Sequence, residues 1–287
     1  MKSATEIRKQ VTAEIIKALE SGRNPWRKPW TPDQSAIPHN CATGHAYRGM
    51  NPLYLEAVQM NRDYATSQWL TYNQARKLGG HVIKGAKSAM VLFTKPIKIR
   101  DKDTDEKKLI HMLRCFTVFN IADTEGCKLP ARETPDDTRP VDPKGAIDAA
   151  IAYLDMADIK LGGGTACYKP VTDVIHLPRP ETFTSAEGFA ATAYHELVHW
   201  SGASKRLQRA GIVDTSPYGS EKYAFEELIA EIGSAMLCQK QKVSSEIPNH
   251  ASYVQSWLKA LESNERFIFE ASRAAETAFN YIEEQQS

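Results

Sequence analysis

Residues 122–143, ADTEGCKLPARETPDDTRPVDP, contain Pro130, Pro135, Pro140 and Pro143 and show no apolar periodicity. Such a stretch interrupts a helix and lacks the N–H donors that a sheet requires, so the chain is expected to fold on either side of it. Length agrees: 287 residues exceed the usual size of one domain, and each side is long enough to bury a core. The expected organisation is a first domain over residues 1–128, a linker over 129–143 and a second domain over 144–287.

The same stretch separates two opposite charges. Residues 1–140 carry 23 Lys and Arg against 15 Asp and Glu, a net of +8, whereas residues 141–287 carry 13 against 20, a net of −7. Positive charge concentrated in one half points to a polyanionic partner, although two domains that attract each other would give the same count. The composition, 42% hydrophobic and 25% charged, is that of an ordinary globular protein, and no apolar run reaches bilayer length, so no membrane partner is expected. The opening MKSATEIRKQVTAEIIKALESG scatters charges among its apolar residues, unlike a secretory signal. The cysteines (Cys41, Cys115, Cys127, Cys167 and Cys238) are odd in number and form no C-x-x-C pair, which suggests neither a disulfide framework nor a thiolate zinc site. A cytoplasmic location is expected.

Local signals predict an α+β fold in two domains. Ser3 and Glu6 have capping-box spacing ahead of Ile7, Val11, Ile15, Ile16 and Leu19 at helical period, and Gly22 closes that helix. Asn51 before Pro52 reads as an N-cap with proline in the first turn. Thr71 and Gln74 repeat the capping-box spacing ahead of a short helix that Gly79 and Gly80 stop. AMVLFTKPIKIR (89–100) and LIHMLRCFTVFN (109–120) read as two strands of a hairpin. In the second half a helix over Ala146 to Ala157 is broken off by Gly162-Gly163-Gly164, and ACYKPVTDVIHLP (166–178) reads as two short strands about a turn. Helices follow from about Ser185 to Trp200, Tyr223 to Gln241 and His250 onward. The C-terminal domain is thus a small sheet followed by several helices.

The sharpest motif is HELVH, His195 to His199. Residues four apart share one face of a helix, so both imidazoles can reach one tetrahedral cation; Glu196 stands beside the open position, where a general base can take a proton from water. A third ligand is expected from EELIAEIGSAML (226–237), because acidic side chains on an apolar helix are costly without a cation or a donor. Glu227 and Glu231 share a face. Glu227 is assigned as the third ligand and Glu231 as the acceptor that orients one histidine; the reverse assignment stays open, and Glu226, off that face, ranks last. Two histidines and a carboxylate suit one divalent ion, zinc first and manganese second. Hydrolysis of a peptide or protein substrate would also need an oxyanion donor, for which His176, Tyr168, Tyr218 and Tyr223 are candidates, and an edge strand, for which DVIHLP is the candidate. The competing reading is a pair of surface histidines with the glutamates as a solvated face.

Binding single strands without sequence preference needs a positive track for phosphates and exposed aromatic faces for bases. The first half interleaves the two: Trp26, Arg27, Lys28 and Trp30; Tyr47 and Arg48; Trp69 and Tyr72 ahead of Arg76 and Lys77; Lys84 and Lys87 around Gly85. The expected DNA-binding set is Trp26, Arg27, Lys28, Trp30, Tyr47, Arg48, Trp69, Lys84 and Lys87. Any of these aromatics could instead be core, and for Trp69, in a helical pattern, the two readings balance. Trp26 and Trp30 cannot easily both be buried without taking Arg27 or Lys28 along, so at least one is expected to be a platform. No helix-turn-helix, zinc-finger or basic-zipper pattern supports duplex binding.

Together these residues resemble the ArdC antirestriction proteins of conjugative plasmids, over nearly the whole chain. In the first half the resemblance rests on NPWRKPW (24–30), TGHAYRGMN (43–51), SQWLTYNQA (67–75), GGHVIKGAK (79–87) and TVFN (117–120); in the second, on YKPVTDVIHLP (168–178), YHELVHWSG (194–202), KRLQR (205–209) and YAFEELIAEIGSAML (223–237). It implies an N-terminal domain that binds single-stranded DNA, similar to the start of certain plasmid primases, joined to a zincin-like metallopeptidase domain. It also implies a role in protecting the incoming strand from host restriction during conjugation. The alternative is a regulatory metalloprotease whose basic domain docks a protein substrate.

Overall fold

Helix α1 (Ala4–Glu20) begins with the reciprocal Ser3–Glu6 capping box and buries Ile7, Val11, Ile15, Ala18 and Leu19. In the computed structural model, residues 3–26, 37–100, 107–130, 142–214, 220–244 and 251–286 are described, with the backbone alone at 94–100, 107–113 and 251–252. After β1 (His39–Asn40), helix α2 (Asn51–Asn61) packs on α1. Strand β2 (Gln68–Leu70) and helix α3 (Tyr72–Lys77), capped by the Thr71–Gln74 box, lead to β3 (His81–Val82), then to the long strands β4 (Ala89–Arg100) and β5 (Lys107–Asn120) and to β6 (Thr124–Glu125). The main sheet has the order β1-β2-β5-β4, parallel between β1 and β2 and otherwise antiparallel; β3 and β6 form a separate pair.

Two local expectations change. Asn51 does not cap α2, whose N-cap is Met50; its amide instead crosses to β4, accepting from the Leu92 N–H at 2.7 Å and donating to the Leu92 carbonyl at 2.8 Å. Trp69 lies on strand β2, not on a helix, because that strand is the inner partner of β5.

The second half opens with α4 (Pro143–Leu154), which ends before the glycine run, because the chain from Asp158 pairs into a sheet. Strands β7 (Asp158–Leu161), β8 (Cys167–Lys169) and β9 (Val174–Leu177) have the order β7-β9-β8, with β7 parallel and β8 antiparallel to β9. The DVIHLP strand, β9, is therefore central and paired on both sides, and β7 and β8 form the edges. Helix α5 (Ala186–Ser201) starts at the Ser185 cap and packs against the sheet through β8 and β9. A short α6 (Ala210–Val213) precedes α7 (Glu221–Lys240), which packs against α5 and α9. The last helical stretch is two helices, α8 (Ala251–Ser263) and α9 (Phe267–Gln286), with the turn between them closed by the Phe267 N–H donating to the Asn264 carbonyl at 3.1 Å. No helix among the described residues is long and apolar enough to cross a membrane.

One continuous apolar core joins both halves, running from Val11 and Trp26 through Trp257 and Leu228 to Ile282. The junction is made by α1 against α8 and by Trp26 edge-on to Trp257, with ring centroids 5.6 Å apart.

Candidate metal centre and nucleic-acid interface

Helix α7 is enclosed along its middle, with Ala224 and a run from Glu226 to Ser234 buried, so the three acids in that run meet solvent only through the cleft that they line. They meet α5. Gly233 allows the two helices to approach closely, since a Cβ there would lie 2.9 Å from Cγ2 of Val198. Ser234 then ties the pair by donating to the Ala191 carbonyl at 2.9 Å. This packing brings Nε2 of His195 and Nε2 of His199 to 3.1 Å, and sets the Glu227 carboxylate 3.5 Å from the first and 3.6 Å from the second. Ligand atoms about 2.05 Å from a tetrahedral zinc stand about 3.3 Å from one another. Among the described residues these three form the group with metal-ligand spacing. The donor set and the spacing fit a divalent cation.

Electrostatics around the cluster is dominated by carboxylates. Burial disfavours charge on His195, yet Glu227, Glu196 and Glu231 outweigh it and push its pKa up to about 9. Burial would raise the Glu227 carboxyl, but the hydrogen bond to His195 and the charges of both histidines hold it down at about 2. A cation can take over the role that protons otherwise fill.

The outer nitrogen of His199 differs from expectation. Its Nδ1 lies 3.1 Å from Glu226, not Glu231, so Nδ1 carries the proton and Nε2 is left with its lone pair toward His195 and Glu227. Glu226 is in turn held by Arg209, whose Nε donates to Oε2 at 2.9 Å and whose Nη2 donates to Oε1 at 2.6 Å. Arg209 also caps the end of α5 through the Val198 carbonyl and the Ser201 hydroxyl. Despite burial, His199 and Arg209 keep the Glu226 carboxyl below the usual range. Glu231 is buried on the cleft wall and adds to the negative potential at His195, but no hydrogen bond joins it to Nδ1 of His195.

The cluster opens into a cleft of about 1690 Å³ lined by Glu196, Cys167, Tyr168, Tyr223 and Tyr253. Glu196 accepts from the Tyr168 backbone N–H at 2.7 Å, which fixes its carboxylate beside the metal position. Of the four oxyanion candidates, Tyr168 has its hydroxyl committed to Asp173 at 2.7 Å and to Arg206, and His176 is not among the cleft residues. Tyr218 lies outside the described residues. Tyr223 bonds to Tyr253 at 3.0 Å and to Glu227, which places its hydroxyl at the cluster. The front half supplies one wall of the cleft through Gly22, Arg23, Asn24 and Met60.

The aromatics expected to stack on bases fare differently from the cations. Trp26 is 5% exposed against Trp257, Tyr47 is 7% exposed with its hydroxyl near Asn40, and Trp69 is wholly enclosed in the sheet. All three are core, because each flanks a junction of elements that the local sequence does not reveal. Arg27, Lys28 and Trp30 lie outside the described residues. Arg48, Lys84 and Lys87 are exposed, as are Arg76 and Lys77. Among the described residues, the exposed aromatics of this half are instead Tyr72, Phe93 and Phe116. Outward positions on a hairpin that outruns its sheet are the signal for the two phenylalanines.

Models of two families match the chain: the N-terminal domain of anti-restriction factor ArdC over residues 5–119, and a zincin-like metallopeptidase over residues 146–274. The protein y4eC of Sinorhizobium fredii is 36% identical over 99% of this chain and 93% of its own length. DNA primase TraC of Escherichia coli is 36% identical over 95% of this chain but only 26% of the primase, so the chain spans about a quarter of that protein. The crystal structure of antirestriction protein ArdC from plasmid R388 in its metal-free form is similar with a TM-score of 0.76 and 38% identity, covering 97% of each chain. The Mn(II)-bound form gives a TM-score of 0.76 and 37% identity over 100% of this chain and 99% of that one. Matched end to end at this identity and in both halves, the chain belongs to the family of ArdC-type antirestriction proteins.

Proposed function

We propose that the chain binds single-stranded DNA through its basic first half and protects incoming DNA from restriction during conjugation, acting in the cytoplasm. In this reading its second half holds one divalent ion, zinc or manganese, on His195, His199 and Glu227. The observation that carries the DNA part is the charge division: a net of +8 in residues 1–140, with Arg48, Arg76, Lys77, Lys84 and Lys87 exposed and no acidic partner for them among the described residues. A surface of unpaired cations gains most from a polyanion, through release of its counterions. The likeness to an antirestriction protein and to a DNA primase supports the same reading.

The bound ion would supply Lewis acidity toward a carbonyl and a lower pKa for water. Glu196, held by the Tyr168 N–H, would accept the proton; the Tyr223 hydroxyl, shared between Glu227 and Tyr253, could turn toward the developing charge only on leaving Glu227. One observation favours the second reading, that of a metalloprotease with a protein substrate: β8 is a sheet edge beside Glu196, to which an extended peptide could add as a strand.

Titration of a labelled single-stranded oligonucleotide across a salt series, with wild type and Glu196→Gln, separates the two readings. Both proteins are expected to bind with affinity falling linearly on a log–log salt plot and to retain the metal, because Glu196 is neither a ligand nor on the basic surface. Absence of binding at low salt overturns the DNA reading and leaves the protease. Peptide cleavage by wild type that Glu196→Gln abolishes establishes the second activity.

A further inference from the structure

Strand β2 pairs with β5 only at Trp69–Asn120 and Leu70–Phe119, whereas β4 and β5 stay paired from Ala89–Val118 out to Arg100–Lys107. Beyond Val118 the hairpin is therefore a two-stranded arm with no third strand beside it among the described residues. One face of the arm presents Ala89, Val91 and Phe93 on β4 and Val118, Phe116 and Arg114 on β5, by strand alternation and register. Its root is core: Ala89, Val91 and Val118 are buried. One step outward, Phe93 and Phe116 are 47% and 46% exposed, meeting edge to face at 5.5 Å. Arg114 stands in register with Phe93, exposed and with no acidic partner among the described residues.

We infer that Phe93 and Phe116, with Arg114 in register beside them, form the platform on which bases of single-stranded DNA stack. This inference rests on the DNA reading of the first half and says where on it the bases sit. Two half-exposed rings with the exposed Arg114 in register beside them match a ligand with both a π-face and a phosphate, and duplex DNA keeps its π-faces inside. The platform is stiff, since Asn51 clamps both backbone polar groups of Leu92, the residue before Phe93, and binds the Arg48 carbonyl at 3.1 Å, which brings the Arg48 loop to the same strand. The clamp also occupies the outer edge of β4 at this point, so a second copy of the chain finds no free N–H or C=O there to extend the sheet. The platform replaces the buried indoles of Trp26 and Trp69, which no base can reach.

The test measures binding of oligo-dT and of an equally long abasic deoxyribose-phosphate oligomer to the full chain, in wild type, Phe93→Ala/Phe116→Ala and Phe116→Trp. The alanine pair is expected to lose about 10-fold or more in affinity for oligo-dT, to keep the wild-type salt slope, and to bind the abasic oligomer as wild type does. Phe116→Trp is expected to keep its oligo-dT affinity and to show indole quenching with oligo-dT but not with the abasic chain. This variant decides the matter even if the alanine pair fails to fold. Wild-type affinity for oligo-dT in the alanine pair, or an introduced indole that oligo-dT leaves unquenched, overturns the platform while the DNA reading stands. Absence of wild-type binding at low salt removes both. A wild-type dimer that becomes monomeric in the alanine pair, with oligo-dT affinity unchanged, assigns the face to self-association and also overturns the proposal.

Discussion

At the metal cluster the decisive residue is one that does not face the metal position. Glu226 holds the Nδ1 proton of His199 and is itself neutralised by Arg209, so three side chains from α5, α7 and the segment between them fix which nitrogen is free to ligate. Glu226→Gln leaves an acceptor for Nδ1 but removes the charge that offsets a buried guanidinium. We expect metal affinity to fall roughly 10- to 100-fold, with a loss of about 3–5 kcal/mol in stability from the stranded Arg209. Competition with a chromogenic chelator reads the first and urea unfolding in EDTA the second; wild-type metal affinity in this variant would refute the contribution of the Glu226 charge. HELVH and the spacing of the acids are enough to anticipate that His195, His199 and Glu227 converge. The role of Glu226 is hidden from any reading that allows α7 a single acidic face, whereas a helix buried all round can use neighbouring residues in different directions. Arg209, in a segment with no periodicity, acquires meaning only where the chain folds back under His199.

Among the elements, the contact between α5 and α7 sets the cluster's dimensions, and Gly233 is where they come closest. Val198 is fully enclosed, so it cannot swing away from a Cβ placed 2.9 Å from it. Gly233→Ala should therefore destabilise the protein by about 1–3 kcal/mol through overpacking, despite the helix propensity it gains. Adding Val198→Ala should restore part of that loss, a coupling that chemical denaturation of the two single variants and the double variant reports; strictly additive effects would show that the helices are not limited at this contact. Both capping boxes and the long hairpin are legible in the sequence because they are local or periodic over many residues. Strands of two or three residues, such as β1, β2 and β3, are too short to show a period, which is why Trp69 reads as helical until β2 is seen. Strand order is equally hidden: β9 looks like an edge until β7, more than ten residues earlier, is known to pair with it in parallel.

In the whole molecule, the expectation of separable halves meets an apolar core that crosses between them. Trp26 packs edge-on against Trp257, which donates to the Ala224 carbonyl on α7 at 3.0 Å and stacks on Tyr253, whose hydroxyl meets Tyr223 beside Glu227. The front half also closes one wall of the metal cleft, where Arg23 is fixed by Asp63 at 2.8 Å. A chain cut in the linker would expose Trp257 and remove that wall, so each isolated half would understate what it does in the intact protein. Trp26→Ala tests this without cutting. Emptying that site should cost about 3–5 kcal/mol, as for other large core residues. If the core is shared, calorimetry should show one transition that includes both halves and moves down as a whole, and a divalent ion should raise that same transition in wild type and variant alike. If the halves are independent, the front alone will melt early and the metal-stabilised transition will stay where it was. That second pattern would return the protein to two domains joined by a tether, and would make the wall of front-half residues around the cleft incidental to the metal chemistry.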